Sequence, residues 1–336
     1  MQNGLSGIVF RKDSETKVKL APNDQLTPEE QESCQPLLRF RSERVNGQLV
    51  YHVESLTDED MHLVTRSLKR DDQKYDYILN EKDTVKLGRI RFRVQRLKIN
   101  NVTMYDETRE DLRQIPAVAF DKPIDPNTED FCKFCYNSSS TKENPLITPC
   151  RCKDTVGLIH FECLKRWLSS KRMAKDNGHN SASYYYKTFE CEICKFAYPY
   201  IFRVPSGDKY NLIDDIPIPE VDNLLVLESL HLDKNSSRAI HVILPDESMH
   251  NFKLGRGHEA DIRINDISVS RVHATIDFDF EQGRYLVTDN KSKFGTLVIQ
   301  KKQSLEIGDT KAFQIGRSFI SFHFRDKNKP QPQPHP

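Results

Sequence analysis

Apolar and polar residues alternate with period two through most of this chain, a pattern that predicts half-buried β-strands. In the first hundred residues it runs through LLRFR, QLVYHVE and VKLGRIRFRVQRL. Between the first two of these, Val45 to Gln48 reads VNGQ and predicts a two-residue hairpin turn, because Asn and Gly tolerate positive φ at both central positions. The charges between Arg89 and Lys98 fall between Ile90, Phe92, Val94 and Leu97, so this basic run reads as the solvated face of an edge strand. Alternation returns in LLVLESL and AIHVILP and continues through KLGRGHEADIRINDISVSRVHATIDF and YLVTDNKSKFGTLVI. An internal echo joins the two β-rich stretches, since DTVKLGRIRFRV at Asp83 to Val94 resembles DTKAFQIGRSFISF at Asp309 to Phe322. The segment FECLKRWL is predicted to start a helix.

Proline-rich and acidic segments punctuate the pattern. Residues 101–129 read as a linker whose IPAVAFDKPIDPN carries three prolines that break regular structure. A second linker is expected over 203–222, where IDDIPIPEVDN suggests an extended segment laid over a neighbouring surface. The polar, Pro-rich tail over 327–336 is expected to be disordered. The implied plan is a β-rich domain over 1–100, a small module over 130–202 and an all-β domain over 223–326. A length of 336 residues fits two or three domains.

Charge excludes some partners. Lys and Arg number 50 against 49 acidic residues, which leaves no global charge to attract nucleic acid or a membrane surface. No apolar run approaches the roughly 18 to 20 residues that span a bilayer, and the opening MQNGLSGIVF lacks the apolar run of a secretory signal. A soluble cytoplasmic or nuclear protein is expected.

The chemistry is concentrated between Cys132 and Cys194, which holds seven of the eight cysteines as CKFC, CRC, HFEC and CEIC. Cys132 with Cys135 and Cys191 with Cys194 have the two-residue gap that lets both thiolates of one turn reach a tetrahedral zinc. Cys150 with Cys152 and His160 with Cys163 complete four ligand pairs for two four-coordinate sites. Buried thiols would not arrive in close pairs with a histidine in the one odd position, and disulfides need an oxidising compartment. Cys34 stands apart as a spare thiol.

His160 follows Cys152 after seven residues and is followed by Cys163 and then Trp167. This order resembles the RING-CH (RING-variant) class of ubiquitin ligases. The resemblance implies a cross-brace: Cys132, Cys135, His160 and Cys163 hold one zinc, and Cys150, Cys152, Cys191 and Cys194 hold the other. Both shells are closed, so the metal is structural and activates no water. It also implies a groove for a ubiquitin-conjugating enzyme near Phe134, Trp167 and Pro199, and a role for Lys195 in holding ubiquitin. Trp167 and Lys195 have plainer readings, as a core aromatic and as a solvated lysine. One departure is the gap of 27 residues between Cys163 and Cys191, expected to extend the helix or its following loop.

The last β-rich stretch carries Gly255-Arg256 after a strand, then Ser270-Arg271-x-His273, then Ser292-x-x-Gly295-Thr296. These features resemble a forkhead-associated (FHA) domain, a β-sandwich that reads phosphothreonine. By that resemblance Arg256 and Ser270 contact the phosphate, Arg271 and Lys293 add charge at the rim, and His273, Gly255, Gly295 and Thr296 shape the loops. The planar donor fork of Arg256 suits a dianionic phosphate. Phe294 departs from the family's usual Asn, whose side chain grips the peptide backbone, so binding is expected to be weakened or altered in specificity. The echo makes residues 1–100 a candidate degenerate relative of the same sandwich. Two functions fit: a phosphorylation-directed ubiquitin ligase with no catalytic side chain of its own, or a non-enzymatic, zinc-braced adaptor for phosphopeptides.

Overall fold

A computed structural model describes residues 6–12, 15–20, 27–103, 113–114, 130–178, 180–230 and 238–324. The expected tail over 327–336 and most of the linker over 101–129 lie outside the described residues. The chain forms two compact units, one from 1–94 with 247–336 and the other from 95–246. Strands dominate, as the period-two pattern predicts, and the longest α-helix among the described residues is Phe161–Ser170.

In the first unit the strands Cys34–Val45 and Gln48–Ser55 form the hairpin expected at VNGQ. Asn46 and Gly47 sit at φ 51° and 82°, the left-handed pair that a two-residue turn demands. Leu38, Phe40, Val53 and Tyr51 from this hairpin are buried with Phe313, Ile315 and Leu305. The N-terminal and C-terminal segments are interleaved by hydrogen bonding as well as packing. Met61–Val64 lies between Thr296–Gln300 and Asp309–Ile315, and Thr84–Leu87 pairs with the other edge of Thr296–Gln300. The expected separate domain over 1–100 therefore contributes strands to the C-terminal sandwich, because each segment supplies apolar faces that the other covers.

The echo between Asp83–Val94 and Asp309–Phe322 corresponds to two hairpins of the same construction. Leu87 pairs with Ile90 around Gly88-Arg89, and Ile315 pairs with Ser318 around Gly316-Arg317. Gly88 and Gly316 have φ of 63° and 52°, a conformation costly for other residues.

In the second unit one apolar core joins the cysteine-rich module to strands outside it. Cys132, Ile159, Leu164, Leu168 and Cys191 are buried with Phe202, Leu212, Leu224, Val226, Ile240 and Val242. Three sequence expectations change here. The insertion after Cys163 does not prolong the helix: Arg172–Asp176 and Ser181–Tyr186 form a hairpin, in keeping with the β-preference of SASYYY. Ser181–Tyr186 pairs in turn with Arg238–Ile243. The strands Leu224–Leu230 and Arg238–Ile243, expected to open the C-terminal sandwich, thus belong to this unit.

The expected linker over 203–222 is built into the same core. Tyr210, Leu212 and Ile216 are buried, and Ile201–Arg203 pairs with Lys209–Asn211. Polar ties hold the segment to the helix and to the strand that follows it: Lys165 Nζ lies 2.6 Å from Asp214, the Ser169 hydroxyl donates to Asp215, and Arg172 lies 3.0 Å from Asp215. Among the described residues no helix is long and apolar enough to cross a membrane.

Candidate metal centres and anion-binding loops

The Phe161–Ser170 helix organises the cysteine-rich module. Phe161, Leu164 and Leu168 recur at helical spacing and are buried, fixing the helix against the core. Cys163 and Trp167, four residues apart, then share another face of the helix. His160 precedes the helix as its N-cap residue and is 2% exposed.

The side-chain ligand atoms of Cys132, Cys135, His160 and Cys163 lie within 4.8 Å of one another, and so do those of Cys150, Cys152, Cys191 and Cys194. Pairs one and three form one cluster and pairs two and four the other, the alternation implied by the sequence resemblance. His160 Nδ1 is 3.2 Å from Cys135 Sγ and faces the cluster. Its Nε2–H donates to the Ser139 carbonyl at 2.5 Å, which fixes the tautomer that leaves Nδ1 free to bind metal.

The donor chemistry fits zinc. Burial alone raises the Cys132 thiol pKa, but backbone N–H groups of His160, Cys135 and Phe134 outweigh it and bring the value to about 7. Cys191 behaves alike: burial raises it, the N–H groups of Cys194 and Ile193 lower it, and the outcome is about 6. Burial and neighbouring thiolates instead push Cys150 and Cys163 up. Crowded thiols cannot all ionise without a cation among them, and a divalent metal removes that conflict. Two structural zinc ions, each held by four protein ligands, meet this requirement.

Beside the first cluster, the rings of Phe134 and Trp167 stack with centroids 6.0 Å apart and planes at 20°. Phe134 is 39% exposed and Trp167 is partly buried. Lys195 is exposed, with its ammonium 3.7 Å from Glu190. Pro199 does not fit the surface role expected of it, because it is buried in sequence between buried Tyr198 and Tyr200. Ile193, inside the last knuckle and 62% exposed, is an apolar surface residue that sequence reasoning missed. Its position in CEIC mirrors Phe134 in CKFC and was the available signal.

In the first unit, three loops converge around Ser270. The Arg256 N–H donates to the Ser270 carbonyl at 3.0 Å, and the Gly257 N–H donates to Arg271 at 3.0 Å. This approach requires Gly255, where an added Cβ would lie 1.9 Å from the Arg271 carbonyl oxygen. Buried His273 ties two loops together: Nδ1 accepts from the Ser270 N–H at 3.1 Å, and Nε2–H donates to the Gly295 carbonyl at 3.2 Å. Burial lowers its pKa, consistent with a neutral ring. Asp289 closes the third loop by accepting from the hydroxyls of Ser292 at 2.6 Å and Thr296 at 2.8 Å.

The Ser270 Oγ accepts from the Lys293 N–H at 3.1 Å, leaving its own proton for an anion. Arg256, Arg271 and Lys293 are all exposed. No carboxylate pairs with any of the three among the described residues, although the chain has nearly equal numbers of acids and bases. Lys293 Nζ instead lies 5.3 Å from the Phe294 ring centroid, and Phe294 itself is 52% exposed. The arrangement brings together the four residues expected to bind phosphate and places Phe294 at the loop tip.

Residues 132–194 match the RING-variant domain, and residues 252–316 match the FHA domain. The E3 ubiquitin-protein ligase MARCHF1 of Homo sapiens is 35% identical over 71 residues, 21% of this chain and 19% of that protein. MARCHF8 of Bos taurus is 31% identical over 75 residues, 22% and 20% of the two chains. MARCHF7 of Pongo abelii is 26% identical over 145 residues, 42% and 18% respectively. The chain therefore spans about a fifth of the length of these relatives. No solved structure matches the chain.

Proposed function

We propose that this chain is a RING-type ubiquitin-protein ligase that selects phosphothreonine-containing partners. The observation that carries the ligase reading is the alternating pair of four-ligand clusters beside a partly exposed Phe134–Trp167 stack. The ligase activity named for its relatives supports the same reading.

In this mechanism the chain supplies no nucleophile or general base. The zinc ions hold the two knuckles and the helix rigid, so that Phe134 and Trp167 present an apolar face to a ubiquitin-conjugating enzyme carrying ubiquitin as a thioester. Ile193 extends the apolar surface available, and Lys195 offers a cation to ubiquitin. A substrate lysine amine attacks the thioester carbonyl, an isopeptide bond forms as the C–S bond breaks and the conjugating enzyme's cysteine leaves as its thiol, and the ligase acts by proximity and orientation.

The FHA domain delivers the substrate. A phosphothreonine carries close to two negative charges, and Arg256, Arg271, Lys293 and the Ser270 hydroxyl supply matching donors. Phe294 cannot donate the amide bonds its family counterpart makes, which lowers affinity and leaves selection more dependent on charge. Both proposed partners are proteins.

An in vitro ubiquitination reaction with a panel of conjugating enzymes tests the ligase. Autoubiquitination that depends on zinc and on Trp167 supports it. Failure with every conjugating enzyme, from protein holding two zinc ions, leaves the phosphopeptide adaptor instead.

A further inference from the structure

A fourth exposed cation reaches the phosphate-reading loops from a distant part of the sequence. Arg66 lies in the short turn Thr65–Ser67, and its guanidinium carbon and Nε are each 3.8 Å from where a Cβ on Gly295 would stand. Gly295 lies between Phe294 and Thr296, and its carbonyl receives the His273 hydrogen bond. Arg66 thus flanks the same loop whose Lys293 N–H holds the Ser270 hydroxyl.

The position of Arg66 is fixed by its neighbours. The Thr65 hydroxyl donates to the Thr296 carbonyl at 3.0 Å in a buried bond, and Val64 pairs with Leu297. On the other side, the Ser67 hydroxyl donates to the Val64 carbonyl at 2.6 Å and accepts from the Ala312 N–H at 2.8 Å. The Arg66 side chain is nevertheless exposed and has no ion pair or hydrogen bond among the described residues. The carboxylates of the converging loops have partners of their own: Asp289 accepts from Ser292 and Thr296, and Asp266 from Ser268 and Arg89. An unpartnered guanidinium on a fixed turn, against a loop that also carries Lys293, is poised for an anion from outside the chain.

We propose that Arg66 belongs to the phosphopeptide-binding surface and makes it prefer peptides with a second anionic group near the phosphothreonine. The inference rests on the phosphothreonine-reading role proposed above. One phosphate can be met by Arg256 and Ser270; Arg66, which comes from a different segment and lies against Gly295, is available for a second group. A carboxylate and a second phosphate share the chemistry that a guanidinium fork recognises. The N-terminal segment would then set specificity as well as complete the sandwich.

The test measures affinity of the full chain for labelled peptides by fluorescence polarisation. Four peptides share one sequence: with threonine, with phosphothreonine, with phosphothreonine flanked by Asp and Glu, and with phosphothreonine flanked by a second phosphoresidue. The wild-type chain should bind one or both doubly anionic peptides about three- to tenfold more tightly than the singly phosphorylated one. The third and fourth peptides identify which source of the second charge is preferred. Arg66→Ala should remove this preference while keeping the discrimination between phosphothreonine and threonine, and Arg66→Lys should restore part of it. Arg256→Ala should lose the discrimination itself. Phosphate discrimination without any doubly anionic preference, or a preference that survives Arg66→Ala, overturns the role of Arg66. Absence of phosphate discrimination in the wild-type chain overturns the underlying reading and this inference with it.

Discussion

Trp167 lies across Phe134 with ring centroids 6.0 Å apart, joining the helix to the first zinc knuckle. Because Trp167 is partly buried while Leu164 and Leu168 are fully buried, the helix is anchored without it. Trp167→Ala is expected to abolish autoubiquitination while both zinc ions stay bound. Activity assayed beside metal analysis separates the outcomes: loss of zinc in the variant would make Trp167 a core residue rather than a docking one.

Metal removal should affect a larger region than the knuckles. Cys132 and Cys191 are buried in the same core as Leu224, Val226, Ile240 and Val242. Structural zinc contributes roughly 10 to 16 kcal/mol in small modules at neutral pH. Strong chelation should therefore unprotect the strands Leu224–Leu230 and Arg238–Ile243 together with residues 132–194, leaving Ala274–Asp279 protected. Hydrogen exchange followed by mass spectrometry reads this directly, and protection of the two strands after complete zinc loss would contradict it.

How much was legible in the sequence follows from the range of the interactions. The zinc ligands, the Asn46-Gly47 turn and the helix beginning at Phe161 depend on spacings of a few residues. Strand partners do not: nothing in SASYYY names Arg238–Ile243 as its neighbour, and nothing in MHLV names Thr296–Gln300. For that reason the sequence boundaries separated segments that the fold joins. Pro199 shows the same limit for a site residue, since its place after the last knuckle suggested surface and tertiary packing buried it. Arg66 carried no local signal because the loop it flanks lies more than two hundred residues away.

Close packing of the loops around Ser270 makes Gly255 sensitive. A methyl group there would meet the Arg271 carbonyl oxygen at 1.9 Å, and the obstacle is backbone that cannot rotate aside. Gly255→Ala should destabilise the first unit by more than about 2 kcal/mol and displace Arg256 from Ser270. Denaturant unfolding measures the first effect and phosphopeptide binding the second.

Acid should loosen the same loops. Burial lowers the His273 pKa, against smaller raising effects from the Gly295 carbonyl and Asp289. The unfolded chain then takes up a proton, near the ordinary histidine value of about 6.5, at a pH where the folded ring remains neutral. Stability is thus full above that value and falls as the pH drops below it. His62, also lowered mainly by burial, acts in the same direction in this unit. Hydrogen exchange over 252–316 should be faster at pH 5.5 than at 7.5 after correction for intrinsic rates, and His273→Gln should flatten part of the difference. An unchanged slope in the variant would remove His273 from this account.

Phe294 supplies a gain-of-function test. It is exposed at the loop tip, so Phe294→Asn costs little packing and restores an amide to the position. Phosphopeptide affinity should rise a few-fold, corresponding to about 1 kcal/mol. Unchanged or weaker binding by polarisation would show that the loop does not present this position to the peptide.

The central claim is that one chain couples phosphothreonine recognition to ubiquitin transfer. Its most direct test is a reconstituted reaction with activating enzyme, a conjugating enzyme supporting autoubiquitination, and a carrier protein bearing a matched threonine or phosphothreonine tag. Ubiquitin should be transferred faster to the phosphorylated carrier, and Arg256→Ala should erase that advantage without lowering autoubiquitination. Trp167→Ala should stop transfer to both carriers. Equal rates on the two carriers, or no transfer by any conjugating enzyme from protein holding two zinc ions, would contradict the account.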